Sequence, residues 1–111
     1  MNLDEEIRIA KEVRKNAYVP HSKYWVGAAL KGKSGKIYSG CNVQNDGLMS
    51  ICGERTAFIK AISEGEKEFE HIVVCGGADI NILEDCLPCG YCRQFMNEFV
   101  DASFKIYALR A

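Results

Sequence analysis

Three cysteines stand at every third position of the stretch CLPCGYCRQ: Cys86, Cys89 and Cys92. Two thiolates separated by two residues are typical of a zinc site, because one turn of chain can direct both sulfurs at a single tetrahedral centre. Pro88 favours the second pair, since proline is common in the first turn of a helix and the sequence from Gly90 onward continues as one. Cys89 and Cys92 would then lie at a helix N-terminus, where the dipole and the free amides stabilise thiolates.

A third thiol and a carboxyl group occur together in a second stretch, SICGERTAF, at the start of a predicted helix. Cys52 would also lie at a helix N-terminus, and Glu54 follows two residues later, placed to reach a water molecule rather than to bind the metal. A structural zinc needs four protein ligands, whereas a catalytic zinc needs three and keeps one position open. This combination predicts a hydrolytic site in which zinc activates water and the glutamate transfers protons.

The remaining cysteines leave open a non-catalytic interpretation, a closed structural zinc site. Cys86 or Cys41 as a fourth ligand would fill the open position and exclude catalysis. Otherwise Cys41, Cys75 and Cys86 are interpreted as buried or unremarkable thiols without a metal role. The two histidines, His21 and His71, lack a partner at ligand spacing and are expected at the surface or at strand ends.

The composition limits the class of protein. The 111 residues, 48% hydrophobic and 26% charged, predict one globular domain over 1–111. A formal charge of -1 argues against nucleic-acid binding, which normally requires a basic excess. The N-terminus lacks the apolar core of a signal peptide, and no apolar run is long enough to span a bilayer. We therefore expect a cytoplasmic protein, and a reducing compartment favours metal or catalytic use of cysteine over disulfides among its 6 cysteines.

Hydrophobic periodicity predicts the elements that position these residues. Helices are predicted over 3–17, 54–65 and 90–100, and strands within 24–43 (a hairpin that turns at 33–35), 71–77 and 103–109. The run 71–77 is continuously apolar, which indicates a strand that is covered on both faces. The order of these elements predicts an α/β fold, a mixed β-sheet flanked by helices, whose two late strands run parallel.

Four sequence blocks resemble the small zinc-dependent cytidine deaminases that act on free nucleosides. The blocks are AYVPHSKYWVGAAL, GCNVQN, CGERTAF and PCGYCRQ, and they occur in order over nearly the whole chain. Two of them contain the zinc deaminase signature, Cys-x-Glu followed by Pro-Cys-x-x-Cys. The resemblance implies a three-layer cytidine deaminase-like fold, a homotetramer, and hydrolysis of cytidine or 2′-deoxycytidine in pyrimidine salvage. It also implies one Zn2+ per subunit, bound by Cys52, Cys89 and Cys92, and a free pyrimidine nucleoside as partner rather than a nucleic acid or a membrane.

The resemblance assigns roles to five more residues. Glu54 matches the proton shuttle, Arg55 the arginine that hydrogen-bonds the zinc thiolates, and Gly53 the amide that contacts the base. Asn42 matches the residue that holds the ribose, and Tyr24 a phenylalanine that lines the pocket. A surface helix arginine, a loop-capping asparagine and a core tyrosine are the structural alternatives for Arg55, Asn42 and Tyr24.

Three departures from the family pattern are visible in the sequence. Gln44 stands where the family has glutamate, so a hydrogen bond to the sugar loses its charge-assisted strength. Weaker nucleoside binding follows, or deamination of another cytosine nucleoside such as blasticidin S, which is the alternative activity. The loop 45–51 is about one residue short and lacks a tyrosine that is common there. The relatives also continue past the position of Ala111 through another strand and a helix, including a phenylalanine that helps close a neighbouring subunit's pocket.

Overall fold

The computed structural model describes five stretches of the chain: residues 3–20, 24–43, 53–79, 82–84 and 104–108. The elements in chain order are α1 (Asp4–Val13), a 3-10 turn (Arg14–Asn16), β1 (Trp25–Gly32), β2 (Ile37–Cys41), α2 (Gly53–Ser63), β3 (Phe69–Asp79), β4 (Ile82–Glu84) and β5 (Lys105–Ala108). The helix predicted over 3–17 is therefore α1, tightened at its end into the 3-10 turn. Within the described stretches, no helix has the length and apolarity needed to cross a membrane.

The sheet is organised around β3, its longest strand. β1 pairs antiparallel with β2 on one edge and with β3 on the other. β5 pairs with β3 in parallel, with His71 opposite Lys105, which confirms the predicted parallel arrangement of the two late strands. β4 pairs antiparallel with the end of β3, at Gly76 and Asp79. No sequence pattern predicts this short strand.

The two described helices cover opposite faces of the sheet. Val73 and Cys75 of β3 pack with Ala10 of α1, whereas Ile72 and Val74 lie in the cluster that includes α2. All five side chains are completely buried, so their removal from water is a principal source of stability. The predicted three-layer α/β fold and the two-sided burial of β3 are confirmed. The helix predicted over 90–100 lies outside the described residues.

Two glycines with positive φ close the turns that flank these elements. Gly35 has φ 97° and donates its N–H to the carbonyl of Gly32 at 3.0 Å, in the predicted β1–β2 turn. Gly65 has φ 99° and donates its N–H to the carbonyl of Ile62 at 3.0 Å, where α2 ends. Because side chains disfavour this backbone region, both positions favour glycine.

A buried polar pair joins α1 to β3. His71 Nε2 lies 2.7 Å from Glu6 Oε2, and both side chains are 4% exposed. The imidazole also meets the Tyr107 ring edge-on, with ring centroids 5.7 Å apart. The expectation that His71 lies at the surface is wrong, because α1 brings it a partner that is distant in the sequence; it is the third residue of β3. His21 lies outside the described residues.

Replacing His71 by leucine should lower the free energy of unfolding by about 3 kcal/mol, because the Glu6 carboxyl then stays buried without its partner. Urea unfolding followed by the fluorescence of Trp25, the only tryptophan, measures the difference. Replacing Glu6 and His71 together by leucine should recover most of the loss, since apolar side chains can replace a buried polar pair. A single variant as stable as the parent protein would contradict this role for the pair.

Candidate active site

The first turn of α2 carries three of the predicted site residues. The helix begins at Gly53, so Cys52 immediately precedes it in the sequence. Glu54 is 4% exposed, in a turn where the helix dipole favours negative charge. A solvated first-turn glutamate would be exposed, so this burial favours a functional role. Arg55 is half-buried, with its Nε atom inside the protein.

The first turn of α2 lies directly on β2. A Cβ built on Gly40 would come within 2.5 Å of the carbonyl oxygen of Gly53 and closer still to the amide of Ala57. Glycine inside a strand often marks such a close backbone approach. Gly53 in turn faces β1, since a Cβ there would lie 3.3 Å from Val26 Cγ1. The contacts with β1 and β2 therefore fix the position of the first turn of α2, which carries Glu54.

The Asn42 side chain is held by the start of β1. Its Nδ2 donates to the carbonyl of Tyr24 at 2.8 Å, and its Oδ1 accepts from the amide of Val26 at 3.0 Å. These contacts correspond to the loop-capping role predicted from the sequence as the structural alternative for Asn42. They still leave the amide one N–H and one acceptor lone pair, because a primary amide has two of each. The side chain is thus fixed in orientation, and its contacts with the described residues leave it capacity for a ligand.

The contacts of the Asn42 side chain with Tyr24 and Val26 are called the Asn42 clamp below. Val26 connects this clamp to α2. The Val26 carbonyl accepts a hydrogen bond from the backbone N–H of Asn42 at 3.3 Å. The same carbonyl oxygen would lie 3.4 Å from a Cβ on Gly53. Tyr24 is half-buried and packs against the core cluster that includes α2. The structure therefore brings Tyr24, Asn42 and Gly53 together around the start of β1, and Glu54 follows Gly53 in the chain.

The predicted zinc ligands Cys52, Cys89 and Cys92, together with the predicted sugar contact Gln44, lie outside the described residues. Within the part of the chain that is described, no three His, Cys, Asp or Glu side chains form a group that could hold a metal ion. The donor chemistry fits zinc, because thiolates are soft ligands that zinc accepts in tetrahedral sites. The start of α2 at Gly53 also agrees with a thiolate at Cys52, next to a helix N-terminus.

Two other cysteines are described, and both are free thiols. Cys75 is buried in the sheet and Cys41 is half-buried at the end of β2. Burial raises the pKa of both thiols above the ordinary value. The neutral thiol is therefore favoured, whereas metal binding requires the thiolate. This supports their interpretation as thiols without a metal role; Cys86 lies outside the described residues.

Two residues that shape this site are missing from the sequence-based predictions. Gly40 carried a usable signal, since a glycine within a predicted strand suggests a close backbone approach. The sequence contains no such signal for Val26, because this residue acts through its backbone N–H and carbonyl, whose contacts cannot be predicted from side-chain types.

Comparisons with known proteins agree with one another. A family model described as the cytidine and deoxycytidylate deaminase zinc-binding region matches residues 1–108. A cytidine deaminase from Sporosarcina psychrophila is 42% identical over 108 residues, covering 96% of this chain and 76% of that protein. A solved cytidine deaminase from Burkholderia pseudomallei has a TM-score of 0.77 at 39% identity, covering 89% of this chain and 77% of that one. Another, from Mycobacterium tuberculosis, has a TM-score of 0.85 at 26% identity, covering 99% and 90%.

Proposed function

Because this chain belongs to the cytidine and deoxycytidylate deaminase family, we propose that it removes the 4-amino group of cytidine and 2′-deoxycytidine by hydrolysis. The products are uridine or 2′-deoxyuridine and ammonia. The observation that carries the proposal is the burial of Glu54 in the first turn of α2, next to Gly53, whose backbone lies against Val26 of β1.

Zinc is the metal of this family's domain. Cys52, Cys89 and Cys92 would hold it, with the fourth position open to solvent water. Zinc in such a site lowers the pKa of water, so that a nucleophile is available at neutral pH. Arg55 would donate hydrogen bonds to the thiolates and offset the negative charge of three cysteines. Its position in the first turn of α2, three residues after Cys52, supports this role.

Glu54 moves both protons of the reaction. Its carboxylate takes a proton from the attacking water and delivers it to N3 of the pyrimidine, while the water oxygen bonds to C4. The carboxylate then takes the remaining hydroxyl proton and gives it to the amino group, which leaves as ammonia. One group can do both tasks only within hydrogen-bond distance of the water and the ring. Burial of Glu54 supports this, because a dry, fixed carboxyl group is a better placed acid and base.

The substrate is held by residues at the start of β1 and the end of β2. Asn42 would bind the ribose through the N–H and lone pair that its contacts with Tyr24 and Val26 leave over. Gln44 would bind the same sugar, and Tyr24 would line the pocket. The Gly53 amide, at the N-terminus of α2, would donate to the carbonyl oxygen of the base.

Turnover of nucleosides by the zinc-loaded protein tests the proposal. Cytidine, 2′-deoxycytidine and blasticidin S are each incubated with it, the loss of cytosine absorbance is followed, and the products are separated by chromatography. We expect deamination of the first two, loss of activity with a chelator and recovery with zinc. Bound zinc without any turnover would instead favour a closed structural site, and cobalt substitution would then show four thiolates and no exchangeable water.

Replacing Gln44 by glutamate should lower KM for cytidine about fivefold with little change in kcat, because a carboxylate makes a stronger hydrogen bond to a sugar hydroxyl. The exposed Asn16→Asp variant makes the same change of net charge outside the proposed site and is the control. A KM that is unchanged or higher would contradict this role for residue 44. Faster turnover of blasticidin S than of cytidine by the parent protein would favour the alternative activity.

The family resemblance supports four wider proposals. The enzyme would be a single domain over 1–111 that assembles as a homotetramer, with pockets that draw on neighbouring subunits. It would act in the cytoplasm, in the salvage of pyrimidine nucleosides. Sedimentation of the zinc-loaded protein at assay concentration tests the tetramer directly.

A further inference from the structure

Arg14 is an arginine buried at the junction between α1 and the sheet. It begins the 3-10 turn that follows α1, and the residue is 2% exposed. Its Nε donates to the carbonyl of Trp25 at 3.1 Å, and its Nη2 donates to the carbonyl of Gly77 at 3.1 Å. Trp25 and Gly77 are register partners across β1 and β3. One guanidinium therefore joins the first residue of β1 to the C-terminal part of β3.

The backbone around Gly27 fixes the place of this side chain. A Cβ built on Gly27 would lie 2.9 Å from Arg14 Cβ, and it would overlap the carbonyl oxygen of Ala10. The end of α1 thus rests directly on β1, with no side chain between them. Because its base is held in this way, Arg14 reaches both carbonyls from one fixed position. The planar, forked guanidinium suits this double contact better than an ammonium group would.

The residue that Arg14 holds is the centre of the Asn42 clamp. Tyr24 and Val26, on either side of Trp25, bind the two polar atoms of the Asn42 side chain. The Trp25 carbonyl shares one peptide plane with the Val26 N–H, so a shift of that carbonyl also moves the donor to Asn42 Oδ1. The orientation of the Asn42 amide therefore depends on a contact made by the turn that follows α1.

We propose that Arg14 is a positioning residue for nucleoside binding, which acts by fixing the Tyr24–Val26 segment that orients Asn42. The inference rests on the proposed function only in that Asn42 holds the sugar. Arg14 itself touches no reacting atom, so its loss affects substrate binding more than the chemical step.

Kinetics of Arg14→Lys and Arg14→Gln test this role. KM for cytidine should rise about tenfold while kcat stays within about twofold, the pattern expected when a binding contact and not the reaction is disturbed. The control is His71→Leu, which disturbs another buried contact between α1 and β3. His71 lies six residues along β3 from Gly77, about 20 Å away. That variant should lose stability and keep its KM.

A double-mutant cycle with Asn42→Ala separates positioning from general damage. If Arg14 acts through Asn42, Arg14→Lys should raise KM less than about twofold in the Asn42→Ala background. An equal rise in both backgrounds, or an unchanged KM in Arg14→Lys and Arg14→Gln, would overturn the inference.

The NMR signal of the Val26 amide reports on the clamp without any need for activity. This N–H donates to Asn42 Oδ1, so its signal should move in Arg14→Lys and stay in place in His71→Leu. A parent protein that deaminates no cytosine nucleoside would overturn the proposed function, and the Val26 signal would then still test the claim that Arg14 fixes the Tyr24–Val26 segment. An unmoved signal in Arg14→Lys would overturn it; a displaced one would support it.

Discussion

Replacing Glu54 by glutamine should lower kcat for cytidine by about 10³-fold or more while zinc stays bound, because the amide keeps the shape of the side chain but cannot exchange protons. The residue is 4% exposed in the first turn of α2, so the isosteric change leaves the packing intact. KM should change by much less than kcat, since the loss falls on the transition state. Absorbance assays, metal analysis and urea unfolding of the same preparation measure the three quantities.

Glu64→Gln provides a matched control for this experiment. Glu64 directly follows α2, its side chain is 43% exposed and it pairs with Lys36 at 2.7 Å. The same substitution there removes a surface ion pair, which contributes little to stability, and should leave kcat unchanged. If Glu54→Gln retained a tenth or more of the parent activity, Glu54 would not be the proton shuttle. If it lost zinc, Glu54 would belong to the metal site.

Replacing Gly40 by alanine should lower the free energy of unfolding by about 3 kcal/mol, because a buried methyl group forces two packed backbones apart. Most of the deaminase activity should be lost as well. The new Cβ would come within 2.5 Å of the Gly53 carbonyl oxygen. β2 and α2 must separate to relieve this contact, and the first turn of α2 carries Glu54. Urea unfolding gives the stability change, and kcat measured well below the unfolding midpoint gives the effect on the site.

Gly35→Ala distinguishes a steric effect at Gly40 from the general cost of replacing a glycine. A Cβ on Gly35 would meet nothing within 4 Å, and the strain comes only from its φ of 97°. That substitution should cost about 1 kcal/mol and leave kcat unchanged. Equal losses of activity in the two variants would show that the contact between β2 and α2 does not position Glu54.

The parts of the fold that follow from local pattern could be predicted from the sequence. Apolar residues at helical spacing predicted α1, and the turn predicted at 33–35 contains Gly35, where a positive φ is observed. The continuous apolar run in β3 indicated burial on both faces, as the packing of Ile72 and Val73 against opposite helices confirms.

The parts that depend on long-range contacts could not be predicted in this way. His71 is buried only because Glu6 approaches it from α1, and no spacing in the sequence reports that contact. Arg14 falls within an ordinary helical pattern, and its partners are backbone carbonyls of Trp25 and Gly77, which side-chain types do not reveal. For the metal ligands and Gln44, the predictions rest on the sequence motif and the family resemblance.

The parallel pairing of β5 with β3 affects the order in which the strands of one chain come together during folding. His71 pairs with Lys105, and the sequence between these two strands includes Cys89 and Cys92. Closing so long a loop costs chain entropy before any contact repays it, which slows folding. Zinc bound by these cysteines and Cys52 would tie the middle of the loop to the start of α2 and shorten the search. Zinc would then assist folding by holding this loop closed. In refolding without zinc, the pairing of β5 with β3 should be the slowest step.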